Sequence, residues 1–240
     1  MNNKLTKITN IPLSLCDSEA LLSVPSMFTL FMDIATEHAD ELKLSSDDLG
    51  ENKFWIAVRT KIKIYNRPRL SQSVTLSTWP QEPVRVRANR HYTISDENGV
   101  IVGGKTEWTV VDIESGKLQR IGDVYPEGFE FVDELAVEEP FSRMDAKFED
   151  AMDVAQYTIK STDIDLVGHM NNAAYIRALM SMFTCKELKE NPISEIEIVY
   201  KSQSYEGETL TVKERVADNV CEYGMIKPDG TTAAIVRIIR

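Results

Sequence analysis

The sequence predicts an α+β fold that occurs twice in one chain, each half being a long helix followed by an antiparallel meander. Two observations support this. A helical pattern precedes a series of β-like runs in both halves of the 240 residues, and Gly99 and Gly230 lie in equivalent turns. In addition, three apolar strand positions recur at one constant offset: Ile62, Ile64 and Leu76 correspond to Ile196, Ile198 and Leu210.

The first half begins with a helix from about residue 24 to residue 40, because apolar side chains recur there every three or four positions. Its predicted buried face consists of Met27, Leu30, Phe31, Ile34 and His38. Four β-like runs follow, at 55–64, 74–79, 85–94 and 100–112. The tetrapeptide Asp96-Glu97-Asn98-Gly99 predicts the hairpin turn between the last two runs.

The second half repeats this order. A helix is predicted over 172–188, followed by strands at 195–200, 209–217, 220–226 and 233–239, with a turn at Lys227-Pro228-Asp229-Gly230. Between the halves, 125–150 is acidic and carries two prolines, which is typical of a linker. We therefore expect a first domain over 1–124, a linker over 125–150 and a second domain over 151–240.

Composition limits the class of protein. Apolar residues make up 42% and charged residues 27%, as in packed globular proteins. No apolar run is long enough for a membrane span, and the first residues lack a secretory pattern, so we expect a cytoplasmic protein. Cys16, Cys185 and Cys221 form no CxxC motif and are expected to be buried, reduced thiols. The three histidines lack metal-ligand spacing. Neither a metal nor a cofactor is expected.

The net charge of −11 argues against a nucleic-acid-binding protein and is unevenly distributed. From Lys53 to Arg90 there are nine basic residues and one acidic residue. Such a local positive face suits a small acidic partner that is steered by electrostatics. Alternatively, these cations simply solvate the outer faces of strands.

The most informative segment runs from Asp163 to Tyr175 and leads into the second helix. It concentrates two acids, His169 and two adjacent asparagines at the start of an amphipathic helix. A helix N-terminus supplies oriented backbone N–H groups and a partial positive charge, and carboxylates can activate water. The segment therefore predicts a small catalytic site.

The pattern D-x-D-x-x-G-H-x-N-N-x-x-Y, in a chain with two helix–meander halves, resembles the acyl-acyl-carrier-protein thioesterases. Other stretches that resemble this family are Glu51-Asn52-Lys53-Phe54-Trp55, Thr78-Trp79-Pro80, Ala88-Asn89-Arg90-His91-Tyr92, Glu107-Trp108-Thr109-Val110-Val111-Asp112 and Ile198-Val199-Tyr200. The resemblance implies a double hotdog fold of the bacterial branch. It also implies hydrolysis of fatty acyl carrier protein in fatty acid biosynthesis, with an acyl-binding, non-catalytic first hotdog and a catalytic second one.

The resemblance assigns Asp165 as the catalytic aspartate, which accepts a proton from water, and His169 as the catalytic histidine. Two positions depart from the family: Val167 stands where Asn is common, and Gln203-Ser204 where Glu, often followed by Cys, is common. Gln203 can orient water but cannot take its proton. We expect Leu166 and Val167 to shield Asp165 partly from water. Asp165 and His169 also have purely structural interpretations, a turn cap and a helix-start residue.

Substrate binding is expected of Asn171 and Asn172 at the helix start and, by the resemblance, of Met27 and Phe31, which are also simply core residues. Asn171 is in addition well suited to cap the helix. The candidate residues for docking an acidic acyl carrier protein are Arg59, Lys61, Lys63, Arg85 and Arg87. Alternatives are an acyl-coenzyme A thioesterase, a non-hydrolytic acyl-binding module and a hotdog dehydratase. The chain is expected to be a monomer or a homodimer.

Overall fold

A computed structural model describes residues 3–50, 52–217 and 219–240. Glu51, in one of the family-like stretches, lies outside these ranges. The chain divides into two compact units. The first consists of the residues up to Ser23 together with Thr29–Glu139, and the second of Val24–Phe28 together with Pro140–Arg240.

The first half of the chain contains one long helix, α1 (Val24–Glu41), and an antiparallel sheet of the first unit. Its strands are β1 (Leu5–Asn10), β2 (Lys53–Ile64), β3 (Ser73–Pro80), β4 (Ala88–Asp96), β5 (Gly99–Asp112) and β6 (Lys117–Leu118). The spatial order is β1-β3-β4-β5-β2, and β6 pairs with β5. The predicted turn after Asp96 is confirmed, because Asp96 pairs with Gly99 across the hairpin.

The second unit has the same topology. Its elements are β7 (Met152–Thr158), α2 (Asn172–Met180), α3 (Cys185–Glu190), β8 (Glu195–Tyr200), β9 (Thr209–Ala217), β10 (Val220–Ile226) and β11 (Thr232–Ile239). The spatial order is β7-β9-β10-β11-β8, so each strand has a counterpart in the first unit. The predicted repeat is therefore confirmed, and it extends to β1 and β7. Both of these strands are mostly exposed, so they carry little of the periodic apolar signal by which strands are predicted.

A glycine under an aromatic ring brings the core close to each sheet. In the first unit a Cβ on Gly104 would lie 2.4 Å from a ring carbon of Phe31, which also stacks on Tyr92 with ring centroids 4.7 Å apart. In the second unit a Cβ on Gly224 would lie 2.5 Å from a ring carbon of Phe148. Only glycine leaves room for such contacts.

Two predicted elements are wrong at their ends. The helix predicted over 172–188 stops at Met180, and α3 begins separately after Thr184. The side chain of Thr184 accepts from the Glu187 backbone N–H, and the Glu187 carboxylate accepts from the Thr184 N–H, which is a capping box that starts a new helix. The strand predicted from residue 85 begins at Ala88, because Val84 and Arg87 pair in a tight turn.

The predicted linker over 125–150 contains neither helix nor strand, but it is packed. In the first unit the Trp79 indole donates to the Glu134 carbonyl at 2.8 Å. In the second unit the Ser142 N–H donates to a Glu197 carboxylate oxygen at 2.9 Å. The boundary between the two compact units therefore falls inside this segment, after Glu139.

His91 on β4 is buried as a neutral imidazole. Its Nδ1 accepts from the Ala136 N–H at 3.1 Å, so its Nε2 carries the proton and donates to Gln81 Oε1 at 3.0 Å. Burial, with repulsion from Lys105, lowers the pKa of His91 to about 4 from its ordinary value of 6.5. Between these two pH values the unfolded chain binds a proton that the folded protein does not bind.

We therefore predict that the free energy of unfolding decreases as the pH falls from 6.5 towards 4. His91 accounts for about 3 kcal/mol of this decrease, at about 1.36 kcal/mol per pKa unit. Urea denaturation of the wild type and of His91→Gln over this pH range measures the contribution, because the carboxylates titrate in both proteins. Parallel stability curves for the two proteins would contradict the assignment.

Candidate active site

The turn between Asp163 and Asn171, here called the acidic turn, is closed by backbone hydrogen bonds. The Asp165 N–H donates to the His169 carbonyl at 2.9 Å, and the Gly168 N–H donates to the Asp165 carbonyl at 3.1 Å. Gly168 has φ +82°, in the left-handed region that favours glycine. Ile164 and Met170 form an antiparallel bridge across the base of the turn. Residues 165 and 169 are thereby held next to each other.

The first acid of the motif, Asp163, has a structural role. Its side chain is buried and accepts from the Tyr157 hydroxyl and from the Lys160 N–H, both at 2.9 Å. Its carbonyl accepts from the Asn171 N–H at 2.8 Å. Asp163 thus fixes the position at which the acidic turn meets α2.

Asp165 is oriented differently. Its Oδ1 accepts from the Val167 N–H at 3.0 Å and from the His169 N–H at 3.3 Å. Within the described residues, no donor reaches its Oδ2. The expectation that Leu166 and Val167 shield this carboxylate is wrong, since they are 106% and 54% exposed. They lie at the tip of the turn, where the Val167 N–H donates to Asp165 and both side chains are exposed.

The acidic turn rests on the loop between β8 and β9. The Met170 N–H donates to the Ser204 carbonyl at 2.8 Å, and the His169 ring meets the Tyr205 ring edge-on with centroids 5.2 Å apart. The Tyr205 hydroxyl in turn donates to Gln203 Oε1 at 3.2 Å. His169 and Gln203, which are far apart in sequence, therefore share Tyr205 as a neighbour.

The start of α2 completes the site. Asn171 caps the helix, as predicted, because its Oδ1 accepts from the Ala173 N–H at 2.9 Å. The carbonyl of Asn172 accepts from the Tyr200 hydroxyl at 3.2 Å. These contacts fix the first turn of α2, where backbone N–H groups have no partner inside the helix.

Tyr175 shows that helix, turn and loop converge. Burial raises the pKa of its hydroxyl, and the charges of Glu208 and Asp165 raise it further, while the nearby Ser204 lowers it. A carboxylate of the acidic turn and one of the loop therefore lie near the same hydroxyl on α2.

Three residues of the site were not predicted from the sequence: Tyr205, Glu208 and Lys227. The Lys227 ammonium donates to the Gln203 carbonyl at 3.0 Å, lies 3.2 Å from a Glu208 carboxylate oxygen and sits above the Tyr205 ring. It thereby ties the loop to the turn after β10. Only the position of Tyr205, two residues after Gln203 in a polar loop, gave any signal in the sequence.

The structure also describes the candidate residues of the first half of the chain. Met27 and Phe31 have no exposed surface, which confirms that they belong to the core. The prediction of an exposed basic face is partly wrong. Lys61 is only 3% exposed. Its burial could not be predicted, because the alternation of residues in β2 does not determine which of the two strand faces is covered. Arg59 and Arg87 both pair with Glu107, which leaves less of their charge available to a partner.

Of the remaining docking candidates, Lys63 pairs with Glu139, and Arg85 is exposed in the tight turn before β4.

All three cysteines lack a disulfide partner, but the expectation that they are buried is wrong, since Cys185 is exposed. Among residues 3–50, 52–217 and 219–240, no three His, Cys, Asp or Glu side chains form a group that could hold a metal ion. In the same ranges, every helix is too short or too polar to span a membrane.

Two family models together match nearly the whole chain. The acyl-ACP thioesterase N-terminal domain matches residues 2–129, and the acyl-ACP thioesterase C-terminal domain matches residues 146–238. The chain belongs to the acyl-ACP thioesterase family. Within this family assignment, the acidic turn and α2 fall in the C-terminal domain.

Curated relatives of this acyl-ACP thioesterase family member are chloroplast proteins. Oleoyl-acyl carrier protein thioesterase 1 of Arabidopsis thaliana is 23% identical over 211 residues, which are 80% of this chain and 58% of that protein. Acyl-[acyl-carrier-protein] hydrolase FATB3 of Cuphea viscosissima is 20% identical over 195 residues, covering 75% of this chain and 47% of that protein. The chain thus spans about half the length of these two relatives.

Solved structures of two acyl-ACP thioesterases match over the full length. One from Bacteroides thetaiotaomicron has a TM-score of 0.85 at 22% identity and covers 99% of this chain and 98% of its own. The 12:0-ACP thioesterase from Umbellularia californica has a TM-score of 0.86 at 14% identity and covers 100% of this chain and 97% of its own. The predicted tandem hotdog fold is confirmed.

We predict that Asn171→Ala destabilises the protein by about 0.5–2 kcal/mol, because the first turn of α2 loses its capping acceptor. Asn171→Asp is the matched control, since it keeps an oxygen at Oδ1 and places a negative charge at a helix N-terminus. Urea denaturation measures both variants. Equal losses in the alanine and aspartate variants would show that the cap does not hold the site.

Proposed function

We propose that this protein hydrolyses fatty acyl thioesters of acyl carrier protein, releasing free fatty acid and the carrier. One observation carries the proposal: a single turn holds the Asp165 carboxylate, with an open Oδ2, next to His169 and the capped start of α2. Membership of the acyl-ACP thioesterase family supports the substrate class. The names of the curated relatives also support it.

In the proposed reaction Asp165 Oδ2 accepts a proton from water while the water oxygen attacks the thioester carbonyl carbon. The carbonyl oxygen gains negative charge, which the Asn172 N–H at the start of α2 can stabilise. The neighbouring N–H groups of Asn171 and Ala173 already donate to Asp163 and to the Asn171 side chain. The C–S bond then breaks, the carboxylic acid leaves, and the sulfur takes up the proton as the pantetheine thiol. His169 and the side chains of Asn171 and Asn172 are proposed to position the thioester.

Gln203 takes a supporting role in this scheme. Its Oε1 already accepts from the Tyr205 hydroxyl, which leaves its amide N–H groups for water or substrate. An amide cannot take a proton from water as a carboxylate can, so in this scheme Asp165 is the residue that accepts the proton. Lys227 donates to the backbone carbonyl of Gln203 and thereby helps to fix the position of this residue.

We predict that Asp165→Asn lowers thiol release from long-chain acyl carrier protein about 10²-fold or more, the usual contribution of a general base. The asparagine keeps an oxygen to accept the Val167 and His169 N–H groups, so the turn is preserved. Asp153→Asn, which removes an exposed carboxylate paired with Lys213, is the matched control and retains activity. Near-normal turnover by Asp165→Asn would refute the base assignment, and no release by the wild type would favour a binding module.

Docking of the acidic carrier is proposed to use Arg85, which is exposed and, unlike the exposed Arg87, has no carboxylate partner among the described residues. We predict that Arg85→Glu raises KM for acyl carrier protein several-fold at low salt and that the difference shrinks as salt is added. The same variant leaves hydrolysis of a neutral acyl-N-acetylcysteamine thioester unchanged. A KM for the carrier that is independent of salt and of this substitution would place docking elsewhere.

A further inference from the structure

The His169 side chain lacks the hydrogen bond that usually orients a histidine in an active site. Its backbone is held on both sides, because the N–H donates to Asp165 Oδ1 at 3.3 Å and the carbonyl accepts from the Asp165 N–H at 2.9 Å. In the part of the chain that the structure describes, however, no group makes a hydrogen bond with either ring nitrogen. Working histidines commonly donate their second ring N–H to a carboxylate or a carbonyl, which fixes the plane of the ring. Another contact must therefore set the plane of the His169 imidazole.

The Tyr205 ring supplies such a contact. The centroids of the two rings lie 5.2 Å apart, and their planes meet at 75°. Aromatic pairs prefer such edge-to-face arrangements at centroid distances of roughly 4.5–7 Å, because the positive edge of one ring meets the negative face of the other. Rotation of the imidazole about its Cβ–Cγ bond would lose this geometry. The contact therefore favours one plane of the His169 ring.

Tyr205 is held more firmly than its exposure of 45% suggests. Its backbone N–H donates to Glu208 Oε2 at 3.0 Å, and its hydroxyl donates to Gln203 Oε1 at 3.2 Å. The Lys227 ammonium lies above the ring, 5.5 Å from the centroid. The Lys227 side chain is only 12% exposed, and a cation–π interaction is stronger when the cation is partly removed from water. Backbone, ring and hydroxyl of Tyr205 are thus each fixed by a different partner.

An exposed tyrosine of the first unit shows that such anchoring is not general. Tyr65 is 61% exposed. Its side chain has neither a hydrogen bond nor a ring contact among the residues that the structure describes. Tyr205 is exposed to a similar degree, but it lies between three anchors and a histidine of the candidate active site.

We propose that Tyr205 is a positioning residue, whose ring holds the His169 imidazole in the plane from which it acts on the thioester. Lys227 and Glu208 hold the tyrosine in turn and so act on His169 at second hand. The kinetic consequences rest on the proposed thioesterase function. The order of the imidazole ring does not depend on that function and can be measured in the absence of any substrate.

NMR relaxation of the histidine rings tests the contact directly, because the chain contains only three histidines. With ¹³C at Cε1 of each ring, His169→Ala identifies the His169 signal. His38 and His91 are buried in the first unit and report whether a variant is folded. The order of the His169 ring on the picosecond-to-nanosecond timescale is expected to fall in Tyr205→Leu and to stay at the wild-type level in Tyr205→Phe, which keeps the ring. Undiminished order in Tyr205→Leu would overturn the proposal.

Steady-state thiol release from acyl carrier protein thioester tests the consequence for turnover. Tyr205→Leu is expected to lower kcat about two- to tenfold, the range that an aromatic pair contributes, with little change in KM. Tyr205→Phe is expected to recover most of the lost kcat, and the control Tyr65→Leu to match the wild type. In a His169→Ala background, Tyr205→Leu is expected to cause no further loss, because its effect passes through His169. An equal loss in both backgrounds would overturn the proposal.

Lys227→Met is the second variant, to be used if the His38 and His91 signals show that Tyr205→Leu is unfolded. It removes the cation above the Tyr205 ring and is expected to lower the order of the His169 ring; unchanged order would refute the anchoring. A wild type that releases no thiol refutes the thioesterase function, and the relaxation data then decide the orientation alone. A hydrolytic wild type whose kcat is unaffected by Tyr205→Leu refutes the positioning role and leaves the thioesterase function intact.

Discussion

The hydrogen bond from the Met170 N–H to the Ser204 carbonyl is the constraint on which the candidate active site depends. It fastens the acidic turn to the loop that carries Gln203 and Tyr205, while Asp163 fastens the other side of the same turn to α2. With both sides held, the tip cannot rotate freely. The Asp165 carboxylate therefore keeps one oxygen engaged by the turn and the other available.

Two aspartates in one motif show how neighbours decide function. Asp163 is buried, its Oδ2 accepts from a tyrosine hydroxyl and a backbone N–H, and its Oδ1 lies 3.7 Å from the Arg177 guanidinium, so both of its oxygens are used for structure. In the described part of the chain, Asp165 accepts hydrogen bonds on Oδ1 alone. The spacing of the two acids does not reveal this difference, because it depends on where Tyr157 and the turn backbone lie.

Much of the fold follows from local patterns. β8, β9 and β10 begin and end where their β-like runs and the turn residues between them predict. The site was found through a dense run of polar residues before a helix. The break at Thr184 was missed although a capping box lies there, because the apolar spacing continues across it. Tyr205, Lys227 and the burial of Lys61 depend on contacts between segments distant in sequence, which no local pattern encodes.

The central claim is that Asp165 activates water instead of attacking the thioester itself. Single-turnover hydrolysis in ¹⁸O-labelled water, with enzyme in excess over acyl carrier protein thioester, tests this most directly. Mass spectrometry of the released fatty acid and of the peptide that contains Asp165 reports where the label goes. The account predicts one ¹⁸O in the fatty acid and none in the aspartate. An unlabelled first-turnover product with ¹⁸O in the Asp165 carboxylate would contradict it.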